Sequence, residues 1–438
     1  MIAPDEHEAA SLDFSTLKNG LDYFSPRCTI VAMLARSIYA AVWRELADGK
    51  AMVFMAGPRQ AGKTTLARTI ADGYANRVYF NWDVVPDRAR LLRDPYFFQA
   101  VDRHDSSRPI VVLDEIHKYR GWKNYLKGAY DHFRAEFEFL VTGSGRLDVF
   151  RRGGDSLAGR YALFHLWPFT LAELAGRRST IEEFWSGPQA VTVDPDHAAE
   201  RTWRRLAQFS GFPEPYVRAA PRAYRRWSTA YHSQLIREDI RDLTGIVSIG
   251  SVETLFSLLP DRVGSLLSVT SLAEDLKVAY NTVRTWLDAL ERFYLVFSIA
   301  PWTRQVSRAT QKARKLYLLD YATIEDRAAR LENMVAVELL RAVTMWNDLG
   351  YGPFGLHFVR NKEKEEVDFL VTEKRRPRLL VETKTADTTI DRTLLRFQEQ
   401  LDVPAVQLID EGTTYRKVAH GRHTVLVAPA WMWLPRLP

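Results

Sequence analysis

The sequence predicts a multidomain α/β protein, on three observations. Between residues 36 and 185, apolar strand-like runs alternate with helical stretches. From residue 267, two short helical patterns lead into a strand, and beyond about residue 316 a long helical pattern precedes a series of strand-like runs. At 438 residues the chain exceeds one ordinary core, and about one domain per 150 residues gives roughly three.

The first region reads AMVFMAG (strand), KTTLARTIADGY (helix), VYFNWD and IVVLDEI (strands), YLKGAYDHF (helix) and FEFLVTGSG (strand). Strands separated by helices predict a parallel sheet with helices on both faces. EEFWSGPQAVTVDPDH, 182–197, reads as a loop or insertion, and helices rich in Arg and Trp follow to about 245. In SVTSLAEDLKVAYNTVRTWLDALERFYLVFSI, Thr270 or Ser271 caps a first helix and Asn281 or Thr282 a second. Val283, Trp286, Leu287 and Leu290 recur at helical spacing and face a core. Helix, turn, helix and strand is a winged-helix layout. The last region has KLYLLD, the helix ARLENMVAVELLRAVTMWND, and strands near HFVRN, EEVDFLV, RLLVETK, AVQLID and TVLVAP. The expected division is an N-terminal extension 1–35, a first α/β domain 36–230, a helical, winged-helix-like domain 231–305 and a second α/β domain 306–438.

Hydrophobic content of 46% and charged content of 26% are those of a globular protein. The start, MIAPDEHEAASLDF, lacks the basic and apolar parts of a signal peptide, and no apolar run reaches the ~18 residues that span a bilayer. The expectation is a cytoplasmic protein without membrane contact. The single cysteine, Cys28, excludes an internal disulfide or a cysteine metal cluster and reads as a small buried residue. A net charge of +6 permits nucleic-acid contact without requiring it. Basic residues crowd 201–206, 218–227 and 304–315, where solvated surface and phosphate contact are competing readings.

GPRQAGKT matches G-x-x-x-x-G-K-[ST] at every fixed position, between a strand and a helix. Gly57, Pro58, Arg59, Gln60, Ala61 and Gly62 form a loop whose backbone amides point at phosphates, with Thr65 following in the helix. Lys63 reaches the β and γ phosphates and Thr64 ligates magnesium, so ATP and Mg2+ are the expected ligands. PIVVLDEIHK ends an apolar strand in Asp114, which holds the magnesium, and Glu115, which activates the attacking water. In FEFLVTGSGR, Ser144 is the candidate γ-phosphate sensor, with Thr142 the second choice and a plain turn the competing reading. Arg160 is a candidate cation for the developing phosphate charge, supplied in cis or by a neighbouring subunit; the alternative is a simple ion pair.

GPRQAGKTTLA, VVLDEIHK, TGS and SLAGRYALFHLWPFTLAEL, followed by LAEDLKVAYNTVRTWLDALERFYLV, LENMVAVELL, EEVDFLV and VETK, resemble the predicted AAA-superfamily ATPases of bacteria and archaea that carry a C-terminal domain of unknown function. The resemblance covers nearly all of the chain beyond residue 36. It implies an AAA-type core, a winged-helix-like middle and a C-terminal fold similar to PD-(D/E)XK nucleases.

Within that last fold, Glu382 and Lys384 lie two apart on one strand and share a face, and Asp368 lies at the edge of the preceding strand, with TEKRRPR as the hairpin connection. Two carboxylates would bind Mg2+ or Mn2+, with Lys384 steadying water or the scissile phosphate. The resemblance adds Glu332 as the helix acid; Glu338 is rotated away from it. The competing reading is a charged hairpin with surface ion pairs. If the second winged-helix helix enters a major groove, Asn281, Thr282, Arg284 and Thr285 lead; otherwise it is a strut between domains. Two functions follow: an ATPase controlling a metal-dependent nuclease on DNA, or an ATP-driven switch, of a toxin or phage-defence type, whose C-terminal domain only binds DNA or a partner protein. A homo-oligomer is expected if Arg160 acts in trans.

Overall fold

The computed structural model describes residues 36–143, 157–176, 179–192, 197–241, 246–303, 313–386 and 389–438. The N-terminal extension with Cys28, the candidate sensor Ser144 and residues 304–312 of the basic stretch lie outside them.

The first region opens with α1 (Ser37–Gly49) and β1 (Met52–Ala56), followed by α2 (Lys63–Asp72), β2 (Arg77–Asn81) and α3 (Val85–Arg93). β3 (Ile110–Asp114), α4 (Trp122–Phe133), β4 (Glu138–Thr142) and β5 (Ala162–His165) complete it. The five strands form one sheet in the order β2-β3-β4-β1-β5, and every pairing is parallel. β1 and β3 are wholly buried, as near-continuous apolar runs inside a two-sided sheet must be. Alternate residues feed two cores. Phe54, Phe80, Leu113, Phe139 and Leu126 pack on one face, and Val53, Met55, Leu66, Ile70 and Phe164 on the other. The four expected strands are present, and β5 adds an edge strand that the short run ALFH did not announce.

α5 (Leu171–Leu174), α6 (Ile181–Ser186), α7 (Ala198–Phe209), α8 (Pro213–Arg218) and α9 (Pro221–Gln234) follow, and α9 continues into a π-helical turn, Leu235–Ile240. Next come α10 (Ile249–Leu258), α11 (Val269–Leu276), α12 (Tyr280–Arg292), β6 (Val296–Pro301) and β7 (Lys315–Leu318). Both α11 and α12 begin earlier than their sequence caps suggest. The Ser268 hydroxyl accepts from the Ser271 amide at 3.1 Å, and Ala279 caps α12 through its carbonyl alone. Val283, Trp286, Leu287 and Leu290 are buried, whereas Asn281, Arg284 and Thr285 are exposed.

The C-terminal region comprises α13 (Arg327–Asp348), β8 (Phe354–Arg360), β9 (Glu366–Glu373), β10 (Arg376–Lys384), α14 (Arg392–Leu401), β11 (Ala405–Ile409), β12 (Arg416–His420), β13 (His423–Pro429) and α15 (Ala430–Trp433). Its sheet runs β12-β13-β11-β10-β9-β8-β6-β7, so the β6–β7 hairpin of the middle region is built into it. Lys374 and Arg375 connect β9 to β10 with φ of 46° and 66°, the double left-handed geometry that suits a tight hairpin.

α13 joins the two sheets. Met345 packs into the core beside Phe164. The Asp348 carboxylate accepts from the His165 amide at 2.9 Å and meets its Nδ1 at 2.8 Å. Glu338 Oε1 accepts from the Leu171 amide at 2.5 Å. Residues Arg36–Pro438 accordingly form one compact unit.

Candidate functional sites

The loop from Gly57 to Thr64 joins β1 to α2, so it sits at the carboxyl end of the first sheet. Gly57 has φ +139°, and a Cβ there would lie 2.1 Å from the Leu166 carbonyl oxygen; only glycine fits against that strand end. Gly62, at φ +97°, turns the chain into the helix, whose first amides then face the loop. Buried Lys63 donates to the carbonyls of Gly57 at 2.9 Å and Pro58 at 2.7 Å, which places its ammonium inside the loop where a phosphate would lie.

Asp114 ends β3 fully buried. Its Oδ2 accepts from the hydroxyls of Thr64 at 2.8 Å and Tyr79 at 2.6 Å, with Asn81 at 3.4 Å, and its Oδ1 accepts from Thr142. Burial and the Asp114 charge push the Tyr79 hydroxyl well up, so it stays a donor. A hydroxyl and a carboxylate in contact are hard oxygen donors that fit magnesium. Glu115 takes φ 55°, a left-handed conformation costing a branchless acid of order 1 kcal/mol, as strained site residues do. Its carboxylate lies 3.2 Å from Lys118, which Asp83 also holds at 2.6 Å.

Residues without a local sequence signal hold the loop in place. Arg36, buried ahead of α1, donates to the carbonyls of Ala61 at 2.6 Å and Trp167 at 2.5 Å and pairs with Glu173 at 2.7 Å. Arg59 pairs with Asp239 at 2.7 Å, and Gln60 Oε1 accepts from the Trp227 indole at 2.6 Å. Only the tertiary fold reveals these contacts; Tyr79 and Asn81 were legible in principle, because β2 ends level with Asp114.

Arg160 is not brought to this loop. It pairs with Asp131 at 2.7 Å and precedes β5, whose register sets Ala162 beside Val53 and His165 beside Ala56. It therefore lies at the end of the sheet where β1 begins, about a strand's length from its own phosphate loop. A role in cis is corrected by that separation.

In the C-terminal sheet the β9–β10 ladder ends at Phe369 and Val381, and side chains take over beyond it. Asp368 Oδ2 accepts from the amide and hydroxyl of Thr383 at 3.0 and 2.6 Å, and Glu382 Oε2 accepts from the Asp368 amide at 3.2 Å. Lys384 meets Glu382 at 2.8 Å and Asp391 at 3.0 Å. Glu332, on α13, accepts from the Tyr317 hydroxyl at 2.8 Å. Burial and the charge of Asp368 raise the Glu332 carboxyl to about 8 and raise that of Glu382 as well. Asp368 thus touches Glu382, which pairs with Lys384, and Glu332 comes to Asp368 through a residue that the sequence did not single out.

What sequence reasoning missed is the cation among them. Lys315, which opens β7 and is 1% exposed, sets its ammonium 2.6 Å from Glu366, 3.0 Å from Glu332 and 3.5 Å from Asp368. Among the described residues, no group of three or more His, Cys, Asp or Glu is arranged to hold a metal ion. The expected Mg2+ or Mn2+ at this site thus does not fit the residues as they stand. No described helix is long and apolar enough to cross a membrane.

A parallel sheet with this loop and an acidic strand end opposite its threonine defines a P-loop nucleotide-binding domain. Residues 49–175 match the family model of an AAA domain, and residues 200–328 match a domain of unknown function (DUF8612), which runs from α7 across the middle helices and β7 into α13. Residues 49–175 are thus similar to an AAA domain, and the sheet they build is that of a P-loop ATPase core. Uncharacterised proteins of Mycobacterium tuberculosis and Mycobacterium bovis are each 24% identical over 403 residues, covering 89% of this chain and 83% of theirs. One from Methanocaldococcus jannaschii is 25% identical over 301 residues, covering 62% of this chain and 61% of its own. Among solved structures, the ORC1 protein of Aeropyrum pernix in complex with DNA is 16% identical with a TM-score of 0.31, covering 72% of this chain and 93% of that one. A Walker-type ATPase of Pyrococcus abyssi is 15% identical with a TM-score of 0.40, covering 66% and 95%.

Proposed function

We propose that the chain hydrolyses ATP and relays its nucleotide state to the C-terminal α/β domain. The observation that carries this reading is the 2.8 Å contact between Thr64, at the end of the phosphate loop, and Asp114, at the end of β3. Lys63 would exchange its loop carbonyls for β and γ phosphates, and the amides of Gly57 to Thr64 would hold the rest. Magnesium, held by Thr64 and Asp114, would neutralise phosphate charge. Glu115 is the base for the attacking water; its side chain leaves Lys118 to reach it. Arg160 serves only across a subunit boundary, which makes a homo-oligomer part of this reading. Purified protein with Mg-ATP should release phosphate, and Lys63→Ala should abolish release; phosphate release unchanged in that variant contradicts the assignment.

The C-terminal domain is read in two ways. The chain of contacts from Asp368 through Glu382 to Lys384, with Glu332 joined to Asp368 through Lys315, supports a nuclease-like site acting on DNA, flanked by a winged-helix-like α11–α12 pair with exposed Asn281, Arg284 and Thr285. The ammonium of Lys315 among those carboxylates favours the second reading, an ATP-driven switch whose domain binds DNA or a partner protein without cutting. Under the first, Lys384→Ala abolishes cutting and spares ATP turnover; under the second, Glu382→Ala is silent.

A further inference from the structure

We infer that Lys315 is the resident cation of the C-terminal carboxylate cluster and that it shuts the cluster to divalent metals, so the cluster works without one. The inference deepens the second of the two readings above. The ammonium is enclosed: Lys315 is 1% exposed and faces oxygens of Glu366, Glu332 and Asp368 at 2.6, 3.0 and 3.5 Å. A hard divalent ion needs several oxygens at about 2.0–2.6 Å, and here those oxygens already surround a nitrogen. The two cations would also repel at contact distance in a poorly solvated site.

The remaining charges are settled without a metal. Glu366 also meets Arg360 at 2.8 Å, Tyr317 donates to Glu332, and Glu382 is matched by Lys384. A buried acid with such partners no longer needs an external cation. The lysine is also fixed by its strand. β7 pairs with β6, Lys315 opposite Ile299, and Leu266 bridges Lys315 on its other side. Gly264, two residues before that bridge and at φ +74°, approaches Glu332 so closely that a Cβ would lie 2.7 Å from its Oε2. The middle region thus closes the cluster with a backbone wall as well as a charge.

The test is Mn2+ binding to full-length, nucleotide-free protein carrying Lys63→Ala, read from the paramagnetic resonance of free Mn2+; it needs no turnover, so failure of the ATPase reading would not affect it. The parent and its Asp368→Asn derivative should bind the same amount of Mn2+. Adding Lys315→Met, which keeps the length and removes the charge, should create a site at least ~10-fold tighter, as ligand charge sets such affinities. That site should vanish when Asp368→Asn is combined with it. A Mn2+ ion bound by the parent and lost in Asp368→Asn overturns the inference, and this comparison decides the matter even if Lys315→Met fails to fold. A folded Lys315→Met protein with no gain in Mn2+ binding overturns it equally.

Discussion

Arg59, inside the phosphate loop, and Asp239, in the π-helical turn after α9, meet at 2.7 Å across 180 positions of sequence. One residue further along the loop, Gln60 accepts from Trp227 on α9. The loop that would hold ATP is therefore tied to the helix whose Tyr224 and Ser228 donate to Asp320, just after β7. These contacts link the phosphate loop to the end of β7 in the C-terminal sheet.

That link predicts energetic coupling. In a double-mutant cycle, Arg59→Ala and Asp239→Asn should be non-additive by about 0.5–1 kcal/mol, the usual worth of a partly exposed pair. Each single variant should alter ATP affinity measured by calorimetry. Additive effects would mean that the contact carries no energy.

Arg36 should matter more than its place before α1 suggests. It and Glu173 are 8% and 6% exposed, so Arg36→Ala strands a buried carboxylate and frees the carbonyls of Ala61, in the loop, and Trp167, after β5. A loss of about 3–5 kcal/mol in urea unfolding is expected, with weaker nucleotide binding. A loss below about 1 kcal/mol would place the pair among ordinary surface bridges.

Glu338 sets a pH dependence at the junction of the two sheets. Burial raises its carboxyl from 4.5 to about 7, against the pull of Arg341 and the Leu171 and Ala172 amides, while Glu173 adds to the rise. The folded chain keeps this proton up to about pH 7, whereas the unfolded chain releases it near 4.5. Its contribution to stability is thus complete below pH 4.5 and is lost as pH rises to 7. Glu338→Gln keeps an acceptor for the Leu171 amide, so the stability difference from wild type should shift in the variant's favour across that window. Parallel stability curves from pH 4.5 to 7 would refute the assignment.

Much of this was legible because local rules agreed with the fold. A glycine loop between an apolar strand and a helix, and an apolar strand ending in Asp114 and Glu115, require no distant contact to be recognised. Glu382 and Lys384 likewise share a face by strand period alone. The clasp of Arg59 and Asp239, the anchor of Arg36 and the intrusion of Lys315 were hidden because each depends on residues far apart in sequence. Arg160 was left open between a catalytic cation and an ion pair for the same reason: its motif gives no hint that β5 runs parallel to β1 and leaves it at the opposite end, paired with Asp131. β5 itself was too short to register as a period.

The most direct measurement is the steady-state rate of phosphate release from Mg-ATP by wild type and Glu115→Gln, paired with ATP affinity for each and for Lys63→Ala. Wild type should turn over. Glu115→Gln should bind ATP comparably while kcat falls ~10²–10⁴-fold, as loss of a general base does. Lys63→Ala should bind roughly 10- to 100-fold more weakly, from the ~1.5–3 kcal/mol of a charged hydrogen bond. No turnover by wild type, or turnover undiminished in Glu115→Gln, would contradict the account.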